Sequence, residues 1–124
     1  MKNLAYYLRS AWSYKTSSVP EFWDFDNTAL GQCVPTSLIV QDYFGGVIVR
    51  TVALLPDGTS DSHYFNELEI GELDLTRQQF PYGTIFSERS TERNGKNIRE
   101  YLLESEDVKR RYNSLKRSLE RVSN

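Results

Sequence analysis

One long apolar segment near the middle of the chain, CVPTSLIVQDYFGGVIVRTVALL at 33–55, constrains the fold more than any other feature. Its first half predicts a helix from Cys33 to about Phe44 that is apolar on more than one face and therefore central and well buried. Gly45-Gly46 predicts the end of that helix. The β-branched residues from Val47 to Leu55 then predict a strand. A buried helix that leads directly into a strand predicts a helix packed against a sheet.

The flanking segments predict the remaining elements. An amphipathic helix is expected over 3–13 within an N-terminal helical segment 1–13, and an irregular, aromatic-rich loop over 14–31. Strands at 62–69 and 72 to about 78 form a hairpin around Ile70-Gly71. The turn-rich composition of 81–96 predicts a loop, and 97–122 predicts a helical C-terminal segment with Ser105 as an N-cap. We therefore predict a single α+β domain over 1–124, with 32–80 as the core of one helix and three strands.

Composition excludes several functional classes. The 124 residues suffice for one domain, and a net charge of −2 argues against nucleic acid as a partner. No apolar run is long enough to span a membrane and the first residues lack the features of a signal peptide, so a cytoplasmic location is expected. The single Cys and single His allow no disulfide and no structural zinc site. Because neither zinc-ligand spacing nor a glycine pattern for binding a nucleotide is present, no metal or cofactor is expected.

Cys33 and His63 form the first candidate site. A thiol is a poor nucleophile until it ionises, and a helix N-terminus and a nearby imidazolium both favour ionisation. The prediction places Cys33 at a helix start, where backbone N–H groups can bind an oxyanion, and His63 on a strand. A Cys on a helix followed by a His on a strand suits a papain-like or transglutaminase-like arrangement. The alternative is that Cys33 is a small buried hydrophobic residue and His63 a packing residue.

The strings ALGQCVPTSLIVQDYFGG, SHYFNEL and ELDLTRQQF, with the upstream TSSVPEFW, resemble the YunG-like family of small bacterial proteins over roughly residues 10–80. That family's pattern resembles in turn a minimal transglutaminase or papain-like core, with Cys, His and Asp in that order. The resemblance implies Cys33 as nucleophile, His63 as general base and Asp74 as the residue that orients His63. Gln32 and Gln79 are polar positions within the matching strings and are candidates for oxyanion binding or orientation.

The predicted hairpin conflicts with the third member of this triad. If Ile70 and Gly71 are the central turn residues, Glu69 pairs with Glu72 and His63 lies opposite Gln78. Asp74 is then about 13 Å along the strand from that position, too far for a hydrogen bond. Either a bulge or a looser turn shifts the register, or Gln78 or Thr76 orients the imidazole instead.

The string Trp23-Asp24-Phe25-Asp26-Asn27-Thr28 offers a second site, because it matches the D-x-D-x-T pattern of Mg²⁺-dependent haloacid-dehalogenase-like phosphatases. That motif must follow a buried apolar strand. Here Pro20 precedes it and argues against a central strand, so an Asx-rich turn is the simpler interpretation.

Two further surfaces are candidates for contacts. The C-terminal helix carries six Lys or Arg and three acids after Ser105, and its apolar stripe can dock on this chain's own sheet or form a homodimer. Aromatic residues can line a substrate cleft or pack in the core. The aromatic candidates for the cleft wall are Trp12, Trp23 and Tyr64.

The sequence thus predicts a cysteine-dependent hydrolase or acyltransferase acting on an amide or thioester, in a protein or in a small molecule, through Cys33, His63 and either Asp74 or a nearby Gln. A non-catalytic protein-interaction module on the same scaffold is the alternative. A Mg²⁺-dependent phosphatase built on Asp24 and Asp26 is a remote third option.

Overall fold

The computed structural model describes residues 3–124, which contain four α-helices and six strands. The α-helices are α1 (Leu4–Ala11), α2 (Cys33–Phe44), α3 (Ile98–Leu102) and α4 (Glu106–Ser123). The strands are β1 (Val47–Leu54), β2 (Ser60–Leu68), β3 (Gly71–Leu73), β4 (Ile85–Ser90), β5 (Glu92–Arg93) and β6 (Lys96–Asn97). Short 3-10 turns occupy Pro20–Phe22 and Arg77–Gln79. The first two residues of the predicted segment 1–13 lie outside the described residues.

The main sheet is antiparallel, with the strand order β3-β2-β1-β4, and β5 and β6 form a separate small ribbon. Helix α2 packs on β1 and β2, and α4 packs on α1 and α2. The core between helices and sheet includes Leu38, Ile39, Ile48 and Tyr64, all buried. The predicted α+β class with a small antiparallel sheet is therefore confirmed. Among the described residues, no helix is both long enough and apolar enough to cross a bilayer.

Helix α2 begins at Cys33 and ends at Phe44, as the sequence predicted. Gly45 adopts a φ of 73° and ψ of −145°, a conformation that side-chain-bearing residues avoid, and this is why the helix stops there. The residues from Pro35 to Val40 are all buried, which matches a helix that is apolar on more than one face. The cysteine is thereby fixed at one end of the most buried helix in the described chain.

The prediction of a loop over 81–96 was wrong. This stretch contains β4, which pairs with β1 at the edge of the sheet, and then the ribbon of β5 and β6. Residues of β4 are mostly exposed, and the register against β1 shifts between Arg50 and Val52. An exposed edge strand with a bulge lacks the apolar alternation by which strands are detected, so its polar composition resembled a loop.

The predicted C-terminal helical segment consists of two helices, α3 and α4, and the second begins directly after Ser105. The Ser105 side chain accepts a hydrogen bond from the backbone N–H of Val108 at 3.2 Å, which confirms the predicted N-cap. Val108, Tyr112, Leu115 and Leu119 are buried in the core. The apolar stripe of α4 is therefore covered by α1 and α2 of the same chain rather than by the sheet.

Candidate active site

Cys33 is the first residue of α2, is buried, and lines a cavity of about 720 Å³. The backbone N–H groups in the first turn of a helix have no acceptor within the helix, so they remain available to a ligand. Gly31, two residues earlier, has a φ of 72° and packs against the loop at Ser17 and Ser18. The loop and the helix start are thus held closely together at the position of the thiol.

The Gln32 side chain does not face the cavity, although the sequence made it a candidate for oxyanion binding. Its Oε1 accepts a hydrogen bond from the Thr16 hydroxyl at 2.7 Å, and its Nε2 donates to the Ser13 carbonyl at 2.9 Å. The side chain is fully buried. Gln32 therefore anchors the aromatic loop to the start of α2, with both ends of its amide already engaged.

His63 and Asp74 are in direct contact. His63 lies on β2 opposite Thr51 of β1, and its Nε2 is 2.6 Å from Oδ2 of Asp74. The His63 side chain is 0% exposed and that of Asp74 is 12% exposed. A hydrogen bond this short between an imidazole and a carboxylate, away from bulk water, fixes the orientation of the ring.

The predicted hairpin register was wrong by two residues, and the difference explains this contact. Glu67 pairs with Glu72 and Leu68 with Gly71, so the turn residues are Glu69 and Ile70 rather than Ile70 and Gly71. Continued by one residue, this register sets Asp74 opposite Phe65, diagonal to His63 and within reach of its ring. The objection to Asp74 therefore disappears, and it is Asp74 rather than Gln78 or Thr76 that contacts the imidazole.

The electrostatics of the pair favour an imidazolium and a carboxylate. Burial by itself lowers the pKa of His63, but the hydrogen bond to Asp74 and the interaction with the Cys33 thiol outweigh it and raise the pKa to about 9. Burial by itself raises the pKa of Asp74, but hydrogen bonds from His63 and from Arg77 lower it below its usual value. Arg77 reaches Asp74 through its Nε, at 3.0 Å.

The second ring nitrogen of His63, Nδ1, is buried and makes no well-formed hydrogen bond to any residue within 3–124. Cys33 lies close enough to the imidazole to raise the pKa of His63, although no hydrogen bond joins its thiol to Nδ1. The structure therefore brings His63 and Asp74 into contact and places Cys33 near the ring.

Aromatic rings enclose the imidazole. The centroid of the His63 ring lies 4.9 Å from that of Phe80, 5.4 Å from that of Phe86 and 6.2 Å from that of Phe65. The guanidinium of Arg77 lies 4.0 Å from the centroid of the Phe86 ring. Such apolar surroundings exclude water and strengthen the ion pair between His63 and Asp74.

Gln79 and Gln78, which are adjacent, lie in different places. Gln79 lines the cavity of Cys33; its Oε1 accepts a hydrogen bond from the Gly31 N–H at 3.1 Å, whereas its Nε2 is buried without a partner among the described residues. Gln78 is exposed and lines a separate surface depression with Arg9 and Phe25. Of the three glutamine candidates, Gln79 is therefore the one that lines the cavity of Cys33 and has a donor without a partner among the described residues.

Of the three aromatic candidates for the cavity wall, Tyr64 lies on it and the two tryptophans do not. Trp12 is buried in the core and donates its Nε1–H to the Thr36 hydroxyl at 2.9 Å. Trp23 donates to the Thr28 carbonyl at 2.8 Å and packs edge-on against Phe25. The indole ring of Trp12 therefore contributes to packing of the core, and that of Trp23 to packing of the loop.

The Asp24-Phe25-Asp26 string lies in a turn. The Asp26 N–H donates to Oδ1 of Asp24 at 2.9 Å, which is the geometry of an Asx turn. The 3-10 turn Pro20–Phe22 precedes it, where the phosphatase motif requires a buried strand. Within residues 3–124, no group of three or more His, Cys, Asp or Glu side chains is arranged to hold a metal ion.

Sequence reasoning did not identify several residues around the site. Arg77 was detectable, because it lies three residues after Asp74 and carries the opposite charge. Phe80 and Phe86 were not assigned to the site, because Phe86 lies in the stretch interpreted as a loop. Tyr101, Leu102 and Val108 of the C-terminal segment also line the cavity, a placement that depends on how α3 and α4 pack.

Comparison with known proteins assigns the chain to a family. The family model described as "YunG protein" matches residues 1–124, so the chain belongs to the YunG family. A relative from Bacillus subtilis (strain 168), described as "Uncharacterized protein YunG", is 32% identical over 80 residues. That match covers 64% of this chain and 63% of the relative, so the chain matches less than two thirds of the relative's length. No solved structure matches the chain.

Proposed function

We propose that this protein is a cysteine-dependent hydrolase or acyltransferase that acts on an amide or a thioester. The observation that carries the proposal is the buried His63–Asp74 ion pair beside the Cys33 thiol at the start of α2. The chain order Cys, His, Asp, with the cysteine on a helix and the histidine on a strand, resembles a minimal papain or transglutaminase core. The likeness to those enzymes is part of the proposal.

The first step of the proposed mechanism uses the charge on the imidazole. Because the pKa of His63 is about 9, the ring is protonated at neutral pH. A positive imidazolium next to a thiol favours the thiolate, which is the nucleophilic form. The thiolate attacks the carbonyl carbon of the substrate, a carbon–sulfur bond forms, and the carbonyl oxygen becomes negatively charged.

The next steps need a donor for that oxygen and a proton for the leaving group. The backbone N–H groups at the start of α2 are the donors available next to Cys33, and the Nε2 of Gln79, which is buried without a partner among the described residues, joins them if its amide group turns toward the cavity. His63 then gives its proton to the leaving amine or thiol, and the acyl group stays on Cys33 as a thioester. Water or an acceptor amine attacks this thioester and gives its proton to His63, which releases the product and restores the thiolate–imidazolium pair.

The test is the rate at which Cys33 is alkylated by iodoacetamide between pH 5 and 9. Cys33 is the single cysteine, so the mass of the intact chain reports the reaction at one site. At pH 6.5 we expect the native protein to react at least about tenfold faster than His63→Ala, because loss of the imidazolium disfavours the thiolate. Gln78→Ala, a surface change outside the cavity, serves as the control and is expected to leave the rate unchanged.

His63→Gln provides a second variant that preserves more of the buried volume in case His63→Ala fails to fold. Circular dichroism establishes which variants are folded before their rates are compared. The activated nucleophile is refuted if folded His63→Gln reacts as fast as the native protein, or if the native protein reacts no faster than the chain unfolded in urea.

A non-catalytic interaction module is the second proposed function. The observation that favours it is the exposure of two large aromatic side chains on the loop, Phe22 at 70% and Phe25 at 88%. Exposed aromatic residues are enriched where proteins bind each other. An alkylation rate that does not depend on His63 favours this function over the catalytic one.

A further inference from the structure

We infer that the acyl group of the substrate is an uncharged hydrocarbon group of small-molecule size, which binds in the cavity beside Cys33. The inference rests on the proposed function, because it assigns a substrate class to that same site. It depends on three observations about the cavity: its volume, the distribution of apolar and polar side chains along its wall, and the sign of the charges at its rim.

The volume of the cavity points to a small molecule. Ligand sites that enclose small molecules have volumes of about 300–1,000 Å³. The cavity of about 720 Å³ falls within that range, and the Cys33 side chain forms part of its wall. A group bound there is therefore within reach of the nucleophile.

The deeper part of the wall is apolar. Leu102 and Val108 are buried, and Val34, Leu55, Phe80 and Tyr101 are half-buried. These side chains come from α2, α3, α4 and two loops, so the apolar surface forms only when the chain has folded. Transfer of hydrocarbon from water to such a surface is favourable in proportion to the area buried, which selects for an apolar acyl group.

The rim of the cavity is polar and carries negative charge. Thr59, Ser60, Asp61, Glu104 and Ser105 are all exposed and line it. Among the described residues that line the cavity there is no Lys, Arg or His. A carboxylate on the acyl group would approach Asp61 and Glu104, and the nearby His63 imidazolium is already paired with Asp74, so an anionic acyl group is disfavoured.

The experiment uses N-substituted maleimides as probes, which add to a thiol across their carbon–carbon double bond and release no leaving group. Three probes are compared on the native chain: N-methylmaleimide, N-hexylmaleimide, and the N-hexyl analogue with a terminal carboxylate. Each rate is divided by the rate with the same chain unfolded in urea, which removes the intrinsic reactivity of the probe. We expect N-hexylmaleimide to be favoured over N-methylmaleimide by at least about tenfold after this correction. The carboxylate probe is expected to lose most of that advantage.

Leu55→Ser tests whether this preference arises in the cavity. Leu68→Ser is its matched control, since Leu68 is also half-buried but does not line the cavity. We expect Leu55→Ser to reduce the preference for the hexyl group at least threefold and Leu68→Ser to leave it unchanged. Val34→Thr replaces Leu55→Ser if circular dichroism shows that the latter is unfolded.

The inference is overturned by any one of three results. The first is equal corrected rates for the methyl and hexyl probes, and the second is a carboxylate probe that reacts as fast as the hexyl probe. The third is a preference for the hexyl over the methyl probe that is unchanged in the folded variant of the cavity wall. Failure of the proposed function has a different signature: the ratio of hexyl to methyl rates stays high, while replacement of His63 leaves the absolute rates unchanged.

Discussion

At the scale of single residues, the charge on His63 depends on contacts that reverse the effect of burial on its pKa. A histidine that is 0% exposed would ordinarily be neutral, because desolvation disfavours its charged form. Asp74 counteracts desolvation by accepting the hydrogen bond from Nε2, and Arg77 keeps the carboxylate ionised. The charge state of His63 is therefore controlled by Asp74, eleven positions later in the chain, together with Cys33.

Replacement of Asp74 by Asn is expected to lower the pKa of His63 from about 9 by roughly 1 to 3, since a neutral amide cannot offset desolvation of the imidazolium. The measurement is an NMR titration of the imidazole ring, and the single His of the chain makes the signal unambiguous. Asp61→Asn is the control, because Asp61 is an exposed carboxylate that does not contact the His63 ring. An unchanged titration in Asp74→Asn contradicts the assignment of the ion pair.

At the scale of elements, the connection between the aromatic loop and the start of α2 depends on Gly31. The Ser18 N–H donates to the Gly31 carbonyl at 3.0 Å, and the Ser17 hydroxyl donates to the Leu30 carbonyl at 2.8 Å. On the other side, Gln79 accepts from the Gly31 N–H. The loop, the helix start and the segment after β3 thus meet at one glycine, two residues before the proposed nucleophile Cys33.

Gly31→Ala is expected to lower the free energy of unfolding by about 1–3 kcal/mol more than Gly95→Ala. Both glycines have positive φ, 72° and 77°, so both variants incur the same backbone penalty. A Cβ at Gly31 would also lie 2.3 Å from the Ser17 hydroxyl and 2.8 Å from the Ser18 nitrogen, whereas a Cβ at Gly95 meets nothing within 4 Å. Urea denaturation of the two variants gives the comparison, and equal losses argue against tight packing at Gly31.

At the scale of the whole molecule, the ion pair links folding to pH. The pKa of His63 rises from 6.5 to about 9 on folding, so between these values His63 holds a proton in the native state that it lacks in the unfolded chain. The contribution of His63 is therefore complete below pH 6.5 and is lost as the pH rises to about 9. At acidic pH the lowered pKa of Asp74 matters instead, and the contribution of Asp74 to the free energy of unfolding is lost as the pH falls below about 4.

The variant Cys33→Ser isolates the proton of His63, because the proposed thiolate of the native protein releases a proton over the same pH range and cancels the effect. In Cys33→Ser we expect the free energy of unfolding to decrease as the pH rises above 6.5, with a slope of at most about 1.4 kcal/mol per pH unit for one proton. Urea denaturation at half-unit intervals of pH measures this slope, and the double variant with His63→Gln, which cannot gain a proton, is expected to flatten the profile. Constant stability of Cys33→Ser over this interval would show that Asp74 does not raise the pKa of His63 on folding.

The local sequence determined the elements around Cys33. The apolar run after Cys33, the Gly45-Gly46 stop and the β-branched strand are short-range patterns, and each formed where it was predicted. The same holds for Ser105, whose side chain caps the helix that follows it. These features follow from local backbone preferences, which do not depend on the rest of the chain.

Only the tertiary structure decided how those elements meet. The side-chain period of a strand fixes which face a residue occupies but not which residue lies opposite it. The observed turn at Glu69-Ile70 brings Asp74 into contact with His63, whereas the predicted turn at Ile70-Gly71 placed them too far apart for a hydrogen bond. Three glutamines looked equivalent in the sequence, yet packing engaged Gln32 in the loop, left Gln78 on the surface and turned Gln79 toward the cavity. The sequence by itself determined the candidate nucleophile and the helix that carries it, because local patterns suffice for that. The partner of His63 and the cavity were decided by contacts between distant segments, and no local pattern encodes those contacts.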